Sequence, residues 1–156
     1  MCGPETPSST PRIGARVDFF SLSSRDRHLL GNLLFLNPSN HNSQQATHFS
    51  FISPSTTPVL SERGPVRGDA SDSSDSSDSE LDDRVIVSIH QTGDMTKSVH
   101  ECGLLKQFTL DESSCQMCAL KENLSISVGQ DGIIGRRVSM MRGGVVLGDG
   151  IVGYNC

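Results

Sequence analysis

Large apolar side chains are scarce in this chain. It has no Trp, one Tyr (Tyr154) and six Phe, and 35% of its 156 residues are hydrophobic. Ordering a residue costs about 1–2 kcal/mol of backbone entropy, which burial must offset. Scarce apolar surface therefore argues against order along the whole length. No run approaches the roughly eighteen apolar residues of a membrane-spanning helix. The N-terminal MCGPETPSSTPR has no apolar h-region, so a secretory signal is not expected there. No basic, aromatic-rich stretch is present, which sets aside direct nucleic-acid binding. The five cysteines, Cys2, Cys102, Cys115, Cys118 and Cys156, are odd in number and unevenly spaced. That pattern fits a reducing cytoplasmic or nuclear compartment, where thiols stay free or bind metal.

What is abundant is Ser, Thr, Pro and Asn across residues 1–68. PETPSSTPR and SPSTTPVLSERGP are punctuated by proline and have no period. Such stretches favour extended, solvated chain. Within them, ARVDFFSLSSRDRHLLGNLLFL is apolar. Leu29, Leu30, Leu33 and Leu34 share one helical face, and Pro38 ends the run. Residues 27–36 thus read as a short amphipathic segment. It anchors on a partner or packs on the chain's own small core. Residues 84–90, RVIVSIH, alternate as a strand does. Residues 84–156 continue as short strands broken by glycine. The expected fold is a mostly disordered N-terminal half followed by a small β-rich C-terminal module, stapled by zinc where its Cys/His cluster binds metal.

Between these parts, residues 69–83 hold seven acids among serines, while the whole chain carries a formal net charge of −5. The serines form two interleaved ladders of step three. Ser71, Ser74 and Ser77 lead to Glu80; Ser73, Ser76 and Ser79 lead to Asp82. An acid-directed kinase of the casein kinase 2 kind favours an acid or a phosphate three residues after its target. Ser77 and Ser79 meet that requirement at once, and each phosphate then supplies the acid for the serine three before it. At about −1.5 to −2 charges per phosphate, six would take the block from −7 toward roughly −16 to −19.

Directly after stand Val85, Ile86, Val87 and Ile89. Together with the acids before it, this aliphatic core resembles a SUMO-interaction motif. The resemblance implies docking by β-augmentation: an extended segment adds a strand to the partner's sheet, and flanking charge meets a basic patch. Arg84 departs from the pattern, standing between acids and core. The alternative is that VIVSI is an interior strand with the serine block as a solvated linker.

The stretch HECGLLKQFTLDESSCQMC spaces His100 and Cys102 from Cys115 and Cys118. Two ligand pairs bridged by a loop can close a tetrahedral zinc site, with His90 as a substitute for His100. Catalytic zinc is not expected. The deaminase signature needs H-x-E before P-C-x-x-C, and here Cys102 stands where the Glu belongs. Cys2 after Met1 resembles the start of N-terminal-cysteine amidotransferases, over three residues only. Ile134, Met140, Val146 and Val152 fall six apart, which resembles the rhythm of left-handed β-helix proteins, but a single coil cannot bury a stacked core.

These features point to a non-enzymatic regulatory or adaptor protein. It docks a SUMO-like or other protein with a sheet edge or basic patch, tuned by an acid-directed kinase. The alternatives are a small zinc-binding recognition module and a fragment of a hexapeptide-repeat transferase. The ladders make a specific prediction. An acid-directed kinase adds up to six phosphates to the block, and Ser77→Ala removes Ser74 and Ser71 as well as Ser77, leaving the second ladder intact. Intact-mass and fragment-ion spectra check it; unchanged phosphorylation at Ser71 and Ser74 would refute propagation.

Overall fold

The computed structural model describes residues 13–22, 27–54, 84–110 and 117–155. The acidic block 69–83 lies outside them. Eight strands form: β1 (Ala15–Ser21), β2 (Leu29–Leu36), β3 (Gln45–Ile52), β4 (Val85–His90), β5 (Leu104–Leu110), β6 (Cys118–Ser125), β7 (Arg137–Arg142) and β8 (Val145–Tyr154). One 3-10 turn, Val99–Cys102, lies between β4 and β5. The strands make one sheet in the order β5-β4-β7-β8-β1-β2-β3-β6, with every neighbouring pair antiparallel.

The sheet curls on itself into a near-barrel, so it supplies its own second layer. Alternate residues fill the inside: Val17 and Phe19 from β1, Leu33 and Phe35 from β2, Val85, Val87 and Ile89 from β4, Val138 from β7 and Val152 from β8. All nine are at most 1% exposed. Arg16, Asp18 and Phe20 alternate outward on β1, as a sheet with one solvated face requires. Two asparagines shape the β2–β3 connection: Asn37 Oδ1 accepts from the Ser39 and Asn40 amides, and Asn40 Oδ1 from Asn42. Gly143 and Gly144, with φ of 54° and 76°, make the two-residue β7–β8 hairpin loop that needs positive φ twice.

The expected disordered N-terminal half is overturned. β1, β2 and β3 occupy residues 15–52 and sit inside the same sheet as the C-terminal strands, between β8 and β6. The expected separate C-terminal module falls with it, because β8 pairs with β1 as well as β7. The physical reason is economy of burial. A curled sheet buries only every second side chain, and one ring of aliphatic residues with Phe19, Phe35 and Phe49 fills so narrow an interior. The apolar segment at 27–36 is not a helix; its Gly31, Leu33 and Phe35 face inward at strand spacing in β2.

Glycines in β8 mark where this packing is tightest. Within the tail, VVLGDGIVGY, which read as fragments broken by glycine, is one ten-residue strand. A Cβ on Gly150 would stand 2.2 Å from the Asp18 carbonyl oxygen, and one on Gly148 2.6 Å from that of Phe20. Bare backbone there lets β8 lie against β1. Gly153 on the same strand has nothing within 4 Å of its Cβ position. Gly150→Ala is therefore expected to cost about 1–3 kcal/mol by overpacking, while Gly153→Ala stays within about 0.5 kcal/mol of the parent. Urea unfolding of the two variants side by side checks the contrast.

Candidate functional site

β5 and β6 follow each other in sequence yet do not pair. Among the described residues β5 bonds only to β4, and β6 only to β3, so these two strands are the ends of the described sheet. Their outer edges face each other across a seam. Ser125, at the end of β6, is bridged to Gly132; Ala119 to Leu124 have no strand laddered to them on the seam side among the described residues. Two residue steps of β3, Ala46 to His48, span five of β6, Leu124 to Ala119, so β6 bulges away from β3 in its middle.

Side chains close what the backbone leaves open. Phe108 reaches from β5 across the seam, 4.6 Å between ring centroids from Phe49 of β3 and 6.1 Å, edge-on, from Phe35 of β2. Lys106 of β5 forms an ion pair with Glu122 of β6. The Glu122 carboxyl is held below its ordinary range by the hydrogen bond and then the charge of Lys106. Both partners are largely exposed, so solvent screens the pair and it adds little to stability. Above these contacts lies a cleft of about 640 Å³. Phe49, Phe108, Leu120 and Leu124 form its apolar floor, and Lys106 and Lys121 stand at its rim.

The docking core expected at Val85, Ile86, Val87 and Ile89 is β4. Val85, Val87 and Ile89 point inward and are buried; Ile86 is half-buried and lines the cleft. Both edges of β4 are laddered, to β5 and to β7. The phosphorylation ladder Ser71, Ser73, Ser74, Ser76, Ser77 and Ser79 lies outside the described residues, as does Cys115.

Of the expected zinc ligands, His100 is exposed on the 3-10 turn, while Cys102 is 1% exposed on the sheet's outer face. The Cys102 thiol donates to the Asp94 and Ser98 carbonyls, at 3.4 Å each, and accepts from Arg137 at 3.5 Å. Cys118 stands on β6, five strands along the sheet from β7, which carries Arg137. These residues are not brought together, and the described residues contain no group of three or more His, Cys, Asp or Glu able to hold a metal.

A buried polar cluster escaped the sequence reading. His90 Nδ1 donates to the Gly103 carbonyl at 2.9 Å, which leaves Nε2 to accept the Ser139 hydroxyl at 2.8 Å. Beside it, Arg137 bonds Asp149 twice, at 2.9 and 2.5 Å, and also donates to the Asp94 and Lys97 carbonyls. Burial works against the Arg137 charge, but the Asp149 and Cys102 partners outweigh it and its pKa is raised. The serine–histidine geometry is that of an activated nucleophile, but Ser139 is fully buried and no substrate reaches it in this structure. What the cluster does is fasten residues 91–103 to β4, β7 and β8. Asp94 and Glu101 complete the fastening on the exposed side; hydrogen bonds from Thr96 and Ser98, respectively, lower their pKa values.

No family model, curated protein or solved structure matches the chain. Among the described residues no helix is long and apolar enough to cross a membrane. If side chains close the seam, Phe108→Ala costs about 2–3 kcal/mol, somewhat below a fully buried phenylalanine, while Glu122→Gln has a much smaller effect because solvent screens the pair. Urea titration measures both; equal effects would sink the assignment of closure to Phe108.

Proposed function

We propose that this is a non-enzymatic docking protein that takes up an extended segment of a partner protein along the seam between β5 and β6. The observation that supports the proposal is a pair of sheet edges that no other strand ladders among the described residues, flanking an apolar-floored cleft. An added strand satisfies an edge's outward amides and carbonyls, while its alternate side chains enter the cleft. The strand resembling a SUMO-interaction motif is less suited to this task. Docking through β4 would first have to strip two ladders and expose Val85, Val87 and Ile89, whereas at the seam a segment would have to displace side-chain contacts, the Lys106–Glu122 pair first, but no backbone ladder among the described residues. The acidic serine block, which lies outside the described residues, is read as charge that phosphorylation adjusts, tuning on-rate and selectivity more than the strand contact itself.

Selection from a random dodecapeptide display library against the intact chain tests this reading. The expected result is enrichment of peptides with aliphatic residues at alternate positions, whose addition shifts amide resonances of β5 and β6. No enrichment, or shifts confined to other strands, would refute it.

A further inference from the structure

Independently of the seam, we infer that the outer face of β1 and β8 carries a second binding site, a cleft for a planar ring bearing a phosphate or carboxylate group. One glycine points to it. In β8, packing accounts for Gly148 and Gly150, since a Cβ on either would run into the β1 backbone. Gly153 has no such neighbour and no left-handed φ, and open space surrounds its Cβ position. It is not a bulge either, because the register with β1 runs unbroken from Val152 through Gly153 to Tyr154. Glycine weakens a strand by its entropy and its missing side chain. One that neither a bulge nor a neighbouring backbone requires marks a place where a ligand comes close.

Gly153 lines a cleft of about 370 Å³, a size common among small-molecule sites. Arg16 and Phe20 reach it from β1, Ile151 from β8, Met95 from residues 91–103, and Arg27 from just before β2. Met95 and Ile151 are 40% and 39% exposed, so the cleft has apolar walls that face solvent. The Met95 wall is fixed in place. Arg137 Nη1 donates to the carbonyls of Asp94 and Lys97, which bracket Met95 in the chain.

The charges around the cleft do not balance. Arg16 is bonded to Asp18 at 2.7 Å, so those two offset each other. Arg27 lies over the Phe20 ring, 4.9 Å from its centroid, and no carboxylate among the described residues pairs with it. A guanidinium whose face rests on a ring still presents its edge. That edge is a planar fork of N–H donors, which matches a phosphate or carboxylate in two parallel bonds. The bare peptide at Gly153 and the apolar walls suit a flat ring beside that anion. A neutral ring leaves Arg27 unmatched, and a bare anion leaves the walls wet.

The test titrates the full chain with phenyl phosphate, benzoate, benzyl alcohol and inorganic phosphate. Amide shifts of Arg16, Phe20, Met95 and Gly153 report occupancy and give each affinity. We expect phenyl phosphate or benzoate to bind at least about tenfold tighter than benzyl alcohol or inorganic phosphate. Whichever binds tighter identifies the anionic group. Arg27→Gln should bring that ligand down to the level of benzyl alcohol. Gly153→Leu should fill the floor and abolish binding while thermal unfolding stays that of the parent, because open space receives the new side chain. The site is overturned by equal affinity for all four probes, or by no shifts at the cleft with any of them. Unchanged binding in Arg27→Gln or in a folded Gly153→Leu variant overturns it as well. None of these results bears on strand uptake at the seam, which β5 and β6 report separately.

Discussion

The ring of Phe108 joins two ends of a sheet that hydrogen bonds leave apart. An eight-stranded antiparallel sheet that curls must either ladder its last strand to its first or cover both edges another way. This chain does the second. Phe108 leaves one edge strand and lands on Phe49 and Phe35, which belong to the strands nearest the other edge. Aromatic pairs at such spacing are worth about 0.5–1.5 kcal/mol beyond the area they bury. Every interior residue from Val17 to Val152 depends on that closure, because an open sheet would expose one face of each to water. The strands thus make a core only when the seam holds.

Closure by side chains also explains the character of the edges. A flat, unpaired strand invites pairing with any other chain. Here Lys106 lies on the same side of β5 as Phe108 and Leu110, and the middle of β6 bulges away from its neighbour. Inward charge and a bulge are the usual means by which edges are kept from indiscriminate pairing. The opposite wall is fastened differently. Arg137 and Asp149 form a buried ion pair there, with the Arg137 Nη1 hydrogens bound to the backbone carbonyls of residues 94 and 97. A buried charge is tolerable only when its hydrogen bonds are met in this way. Residues 91–103 are consequently part of the wall, not a loose connection between β4 and β5.

The sequence revealed some of this and hid the rest for definable reasons. The alternation of Val85, Val87 and Ile89 was legible, and so was their interior role as one of two readings. The tail was legible as β structure, although its glycines read as breaks when they are sites of close approach to β1. β2 was misread because leucines at 29, 30, 33 and 34 satisfy a helical period as well as Gly31, Leu33 and Phe35 satisfy a strand one. Only pairing with β1 and β3 decides between them, and that information is not local. The low aromatic content misled more broadly, since it was weighed against the whole chain rather than the half of each strand that faces inward. Lys106, Phe108 and Leu110 do alternate visibly in LLKQFTL, and attention to a zinc loop concealed it. The contact of His90 with Ser139 spans 49 residues and leaves no trace in sequence spacing.

An open edge gives affinity without choice. The amides and carbonyls of β5 and β6 are the same for every incoming segment, and each ladder bond contributes only about 0.5–1.5 kcal/mol after water is displaced. A handful of such bonds must also offset the ordering of the segment that makes them. Discrimination therefore has to come from what flanks the ladder. In the docking we propose, that is the apolar floor of Phe49, Phe108, Leu120 and Leu124, which would favour aliphatic side chains at alternate positions over polar or charged ones.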